Sequence, residues 1–474
     1  MCSSPRVTHV VPRLSGMILE LLAIYGSILL GCIISTTFLI LIGKSWGPLP
    51  HYYLGIVRWI QRFYPKVYPK SHAPYPAIVK KDPYNSLMRD KETSSSHFPF
   101  LTDPRDSLKI SLDALHSGIE AIVQDNVAPV FGRAPTHSQS LLRMTPYPQW
   151  TKFQKALFYL TVIFRWTFLF PIRLAFLLLS FAFLIGAVII AVNRRLTDKE
   201  KTWVGIVYSR LFCCSMGVVA SFRNKHLRPK GPGVAVANHM TPNDAQILFS
   251  NTPVGSSYGY VITGQKHEGI IGSMETLASS LCPTYWVERE NKADRREFLT
   301  EIIKKSQFGG PILLFPEGYC SNNTQVLQFR KAIFDDGVRI YPIAIKQRSR
   351  YGDSFWFDDL FYMYLLRVMS SWAIYYDVTY LPSMIKLPTE TKVEFAARTQ
   401  AVICDVVGVP AGQFDGSMFY SKTMQERVRT CQREICANAL RTFYFGEEKT
   451  EEEDSKASES IPAQVQDDRP IVVN

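Results

Sequence analysis

Hydrophobic and polar positions divide the chain into regions of different periodicity. Residues 21–43 form an unbroken run of 23 residues without a charge, and about 20 apolar residues cross a bilayer core. Only Arg6 and Arg13 precede the run as bases, and no clean small-residue cleavage site follows. It reads as an uncleaved anchor, not a signal peptide. A second apolar region, 156–192, is interrupted by Arg165, Pro171 and Arg173; its part 174–192 is 19 uncharged residues, just long enough to span. The pattern predicts a membrane helical hairpin broken at Pro171, either shallow in one leaflet or crossing twice. A buried helical pair in a soluble core is the other reading.

Beyond Lys225 the period changes. Short apolar runs at 233–238, 259–263, 284–287, 311–315 and 339–345 alternate with amphipathic stretches such as 293–305 and 324–334. That order predicts an α/β domain, a mainly parallel sheet with flanking helices. Upstream, Asp103-Pro104 opens a helix that carries Leu108, Leu112, Leu115, Ile119, Ile122 and Val123 on one face. The aromatic stretch 360–376 has Arg367 as its only charge and is flanked by Asp358, Asp359 and Asp377. It reads as a core or interfacial helix in preference to a third span. The expected organisation is an N-terminus at 1–16, an anchor at 17–43, a Pro- and Ser-rich linker at 44–102 and a helical region at 103–150. The hairpin at 156–192, the α/β domain at 225–445 and an acidic disordered tail at 446–474 follow.

Charge sharpens this picture. The net charge is +12, but residues 447–474 hold nine acids and three bases, so residues 1–446 carry +18. Such a surplus suits an anionic partner, and the bases cluster beside apolar segments without a nucleic-acid-binding motif. A charged fraction of 20% excludes a mainly disordered chain, and a mean hydropathy near zero excludes a many-pass transporter. Residues 44–81 contain seven bases and no acid. The positive-inside rule places them in the cytosol, with 1–16 lumenal, and a hairpin returns the chain to the cytosolic side. Nine cysteines without a CxxC pair fit a reducing compartment and exclude zinc-finger spacing.

Two segments carry candidate chemistry. The run 234–244 ends a strand at Asn238-His239, and Thr241-Pro242 then starts a helix that carries Asp244. His239 and Asp244 are five apart, about 140° on one helix, so they meet only if His239 precedes the helix and the chain turns back. A carboxylate on one imidazole nitrogen raises the basicity of the other, which can then take a proton from an alcohol. Thr241-x-x-Asp244 also has the form of a capping box. The run Ile312-Leu313-Leu314-Phe315-Pro316-Glu317-Gly318-Tyr319 ends a strand in a turn that presents Glu317 at the C-terminal sheet edge, where α/β proteins bind ligands.

Together, His-x4-Asp and Phe-Pro-Glu-Gly resemble the acyltransferases of glycerolipid synthesis, which acylate lysophosphatidate or glycerol-3-phosphate. Pro283-Thr284-Tyr285-Trp286-Val287-Glu288-Arg289 stands where that family has Gly-x-x-Phe-x-x-Arg, and 341–345 matches its last block. Asn322-Asn323-Thr324, 351–356, Leu365-Leu366-Arg367 and Ser371-Trp372-Ala373 resemble the endoplasmic-reticulum glycerol-3-phosphate acyltransferases more closely; Tyr319 stands where Thr is usual. The resemblance implies acyl transfer from acyl-CoA to glycerol-3-phosphate at an endoplasmic-reticulum membrane, with no cofactor, no metal and no nucleic acid. His239 would be the base and Asp244 its orienter. Arg289, Glu317 and Gly318 would form the acceptor site, with Glu317 orienting a hydroxyl or an arginine. Lys331 would meet a phosphate of acceptor or CoA, or be solvated. Lysophosphatidate as acceptor and an inactive membrane scaffold are the alternatives.

Overall fold

A computed structural model describes residues 10–64, 128–132, 150–257, 259–265, 272–273, 276–277, 279, 281, 284–287, 301–304, 306, 310–357 and 360–416. The linker from 65 on, most of the 103–150 region, Arg289 and the acidic tail lie outside them.

All but the last two residues of the uncharged run lie in helix α1, Val10–Leu41, whose segment Leu19–Leu41 is long and apolar enough to cross a membrane. Helix α2, Leu49–Ile60, follows after a short turn, and α3 is the single turn Ala128–Phe131. The second apolar region is α4, Lys152–Phe164, and α5, Phe170–Asn193. Between them the helix does not break. Arg165–Leu169 is a π-helical turn, closed by the Phe170 N–H on the Arg165 carbonyl, so one apolar helical path of 42 residues results. Pro171 sits in the first turn of α5. It has no N–H for the Thr167 carbonyl, which instead accepts the Tyr25 hydroxyl of α1.

Helix α6, Asp198–Ser215, leads into a seven-stranded sheet. Its strands are β1 Val218–Arg223, β2 Val234–Ala237, β3 Val261–Gln265, β4 Thr284–Val287, β5 Ile312–Leu314, β6 Ile340–Arg348 and β7 Ile374–Tyr380, in the order β1-β7-β6-β2-β5-β3-β4. Every neighbouring pair is parallel except β6 and β7. The central strands are buried on both faces, as parallel sheets require. Ala235 and Ala237 of β2 face one core cluster, which includes helix α7, Asp244–Ser250, while Val234 and Val236 face another with helix α9, Lys392–Val407.

Five strands fall on the predicted apolar runs; β1 and β7 are additional, and β1 starts before the expected boundary at 225. The stretch 360–376 is helical only as α8, Phe361–Met369, before the chain turns into β7. The amphipathic stretch 324–334 is not an α-helix; only Lys331–Ile333 forms a 3-10 turn. Its N–H groups are taken elsewhere: Val326 donates to the Pro410 carbonyl, Gln328 to that of Phe414 and Leu327 to Glu317. A helix would need those donors for its own ladder.

The apolar path is pinned to the sheet domain at its middle. Buried Arg173 donates to the carbonyls of Met369 (2.7 Å), Ser371 (2.6 Å) and Trp372 (2.7 Å). A cation there satisfies the orphan carbonyl groups and complements the dipole at the C-terminus of α8.

Candidate active site

β2 ends at Ala237, and the Asn238 side chain carries its ladder one step further. Its Oδ1 accepts the Ile345 N–H and its Nδ2 donates to the Ile345 carbonyl, both at 2.8 Å. His239 then leaves the sheet. The helix begins at Asp244 itself, with Asn243 as N-cap, so residues 240–243 form a turn and not the first helical turn. That turn brings His239 Nδ1 to 3.0 Å from Asp244 Oδ2. The same oxygen accepts the N–H groups of Met240 (2.7 Å) and Thr241 (3.0 Å). Asp244 is fully buried and the His239 side chain 17% exposed, so one edge of the ring remains accessible.

Two forces act on the imidazole. Burial disfavours its charged form, while the Cys320 sulfur, as acceptor, and the Asp244 carboxylate, both within hydrogen-bond reach, favour it. The net shift of the His239 pKa is upward from 6.5. Phe315 stacks on the ring at 4.2 Å between centroids, which fixes its plane.

Glu317 lies beside His239, but its carboxylate is given to the main chain. Oε1 accepts the His239 N–H at 2.6 Å and Oε2 the Leu327 N–H at 2.7 Å. The side chain is fully buried. Ser321 N–H donates back to the His239 carbonyl at 2.9 Å. The two motifs, distant in sequence, thus share one backbone brace. Burial outweighs the two N–H bonds and pushes the Glu317 pKa up to about 8. Gly318 holds φ at +71°, and a Cβ there would lie 3.1 Å from the Arg330 guanidinium, so the turn requires glycine. Arg330 also lies over the Tyr319 ring and pairs with Asp415 at 3.3 Å. Lys331 is half-buried at the start of the 3-10 turn. Asn322 is buried and donates to the Gly132 carbonyl.

Tyr364 of α8 is a site residue that no local pattern reveals. Its hydroxyl lies 3.0 Å from Thr241 Oγ1 and accepts from Asn243 Nδ2 at 2.9 Å, so it grips the turn between His239 and Asp244. Tyr364→Phe takes a partner from buried Thr241 Oγ1, worth about 1–3 kcal/mol, and one from half-buried Asn243 Nδ2. The expected result is a severalfold fall in kcat with the KM for the acyl donor unchanged. Steady-state kinetics on the purified variant checks this; a loss confined to thermal stability would remove Tyr364 from positioning. Among the described residues, no group of three or more His, Cys, Asp and Glu could hold a metal ion.

Comparison with known proteins gives a consistent neighbourhood. A family model described as "Acyltransferase" matches residues 220–346. Mouse glycerol-3-phosphate acyltransferase 4 is 33% identical over 355 residues, covering 72% of this chain and 76% of that one. Rat glycerol-3-phosphate acyltransferase 3 is 33% identical over 344 residues, covering 68% and 72%. The crystal structure of the 1-acyl-sn-glycerophosphate acyltransferase of Thermotoga maritima aligns with a TM-score of 0.40 at 16% identity, covering 52% of this chain and 96% of that one.

Proposed function

The chain belongs to the glycerol-3-phosphate acyltransferases of the acyltransferase family and is an acyl-transfer enzyme, and we propose that it transfers an acyl chain from acyl-CoA to the sn-1 hydroxyl of glycerol-3-phosphate, giving lysophosphatidate for phospholipid and triacylglycerol synthesis. The observation that carries the mechanism is the His239–Asp244 pair, 3.0 Å apart at the C-terminal end of β2. With Nδ1 turned to Asp244, Nε2 is the nitrogen for the acceptor. The hydroxyl gives its proton to Nε2 as its oxygen bonds the thioester carbonyl carbon. The C–S bond then breaks, and the proton passes from the ring to the departing CoA thiolate. General base catalysis of this kind contributes about 10²–10⁴ in rate. Glu317 and Gly318 shape the acceptor side by holding the loop that carries His239. Arg289 supplies a bidentate guanidinium for the acceptor phosphate, and Lys331 a further cation for phosphate of acceptor or CoA.

Two helices long and apolar enough to cross a membrane, together with the relatives the chain matches, support a membrane protein. Its place is the endoplasmic reticulum, with the catalytic domain cytosolic. Lys44, Arg58 and Arg62 flank the end of α1 without a nearby acid, and α2, which follows, packs directly on the catalytic domain. Both therefore share the basic side. The Arg173 contacts at the middle of the second apolar path favour its shallow arrangement.

The test is acyl transfer by the purified protein from labelled acyl-CoA to glycerol-3-phosphate and to lysophosphatidate in parallel. Turnover with the first acceptor is expected; turnover only with lysophosphatidate would overturn the acceptor assignment, and none with either would favour a scaffold. In the same assay Arg289→Ala should raise the acceptor KM at least about tenfold, the effect of removing one partner of a desolvated charge pair, while the acyl-CoA KM stays unchanged.

A further inference from the structure

Helix α2 has two faces with different neighbours. On one, Leu54 and Val57 are buried against Tyr351, Trp372 and Ala373 of the catalytic domain. The Tyr53 hydroxyl donates to the Trp372 carbonyl at 2.9 Å, and Gln61 Nε2 to the Arg350 carbonyl at 3.1 Å. On the other, Leu49, Tyr52, Ile56 and Trp59, continued by Phe63 of the 3-10 turn that follows, are spaced by three and four, one stripe of a helix, and are 52%, 66%, 60%, 57% and 41% exposed. A groove of about 470 Å³ runs along this stripe, lined by His51, Tyr52, Gly55, Ile56 and Trp59. Gly55 is its notch: among the described residues, nothing outside the helix's own backbone lies within 4 Å of a Cβ placed there, although glycine inside a helix costs about 1 kcal/mol. The stripe continues through the Phe63–Phe153 ring contact, at 6.2 Å, to α4, where Phe153 and Leu160 are also exposed.

We infer that α2 is a third membrane element, lying flat in the headgroup and acyl boundary of a phospholipid leaflet, with its groove occupied by lipid chain. Three observations select lipid as the occupant. The helix starts only eight residues after the end of α1, Leu41 to Leu49, so it emerges at the membrane surface. Trp46, Tyr52 and Trp59 are the residue types that populate bilayer interfaces. Residues 42–64 contain Lys44, Arg58 and Arg62 and no acid, a balance that attracts anionic headgroups. Because the opposite face is bonded to the catalytic domain, α2 sets the tilt and height of the His239 site above the bilayer. The inference does not depend on which acceptor is acylated.

The test places the photoreactive residue p-benzoylphenylalanine at single positions of the full-length protein in nanodiscs of phosphatidylcholine and phosphatidylserine. Adducts are read by mass spectrometry without any turnover. Ile28 in α1 is the positive control, and Lys225, at the far end of β1 from α2, the aqueous control. Phospholipid adducts at Tyr52 and Ile56 on the scale of those at Ile28, and none at Lys225, are expected. Adducts at Ile28 alone would overturn the proposal. So would cross-links from Tyr52 or Ile56 to a second copy of the chain.

Discussion

Replacing His239 by alanine should reduce acyl transfer by about 10²–10⁴, the contribution of a general base, with the protein still folded and membrane-bound. The loop is held independently of the ring, its N–H by Glu317 and its carbonyl by Ser321. Asp244→Asn is the sharper partner experiment. Asp244 Oδ2 takes all three bonds, while Oδ1 has no partner among the described residues. An asparagine can put its oxygen in the place of Oδ2 and its amide in the place of Oδ1. Such a variant keeps the turn but loses the charge that stabilises the imidazolium. Activity should therefore fall less than in His239→Ala. The pH profile should change as well. Catalysis requires the neutral ring, and the His239 pKa is raised above 6.5, so kcat/KM should rise with pH above that value. In Asp244→Asn this limb should move to lower pH. Normal turnover in His239→Ala at equal protein level would end the mechanism, and an unmoved limb in Asp244→Asn would leave Cys320 as the neighbour that raises the ring's pKa.

Glu317→Ala should be as damaging, by a different route. It leaves the N–H groups of His239 and Leu327 buried without an acceptor, at about 1–3 kcal/mol each. That is a large share of the roughly 5–15 kcal/mol that holds a domain folded. Thermal unfolding of the detergent-solubilised variant should therefore show a marked fall in Tm together with lost activity. Glu317→Gln keeps one acceptor and should be intermediate. It also carries a pH signature. The folded pKa of Glu317, about 8, lies above its ordinary 4.5. Its proton thus contributes stability that is fully present below about pH 4.5 and is lost as pH rises through about 8. The stability gap between wild type and Glu317→Gln should narrow over that interval. A gap that widens with pH would mean a Glu317 that prefers the carboxylate.

Local pattern was enough for much of this molecule. Period and length alone mark the anchor, because a bilayer demands a set number of apolar residues whatever the fold. Strands β2 to β6 were legible because a parallel strand is buried on both faces and reads as a short apolar run. Spacing also shows locally that His239 and Asp244 can meet only through a turn, since five residues on one helix separate them, and the structure supplies that turn. What stayed hidden depends on partners far along the chain. Strand β7 lies within and beyond an aromatic stretch that suits a helix equally well, and it becomes a strand because β1 and β6 take its edges. Residues 324–334 have helical spacing but lose their N–H groups to Pro410, Phe414 and Glu317. The Pro171 break does not occur because a π-turn absorbs the missing donor and Tyr25 takes the spare carbonyl. Glu317 is recognisable as a conspicuous acid in a turn, yet whether it faces a ligand or the main chain is decided by Leu327 and His239. Tyr364 has no local mark at all; it joins the site because α8 packs on the sheet with Arg173 at its end. Residue spacing determines which groups one segment can bring together, and only the tertiary structure decides which distant backbone groups they must satisfy.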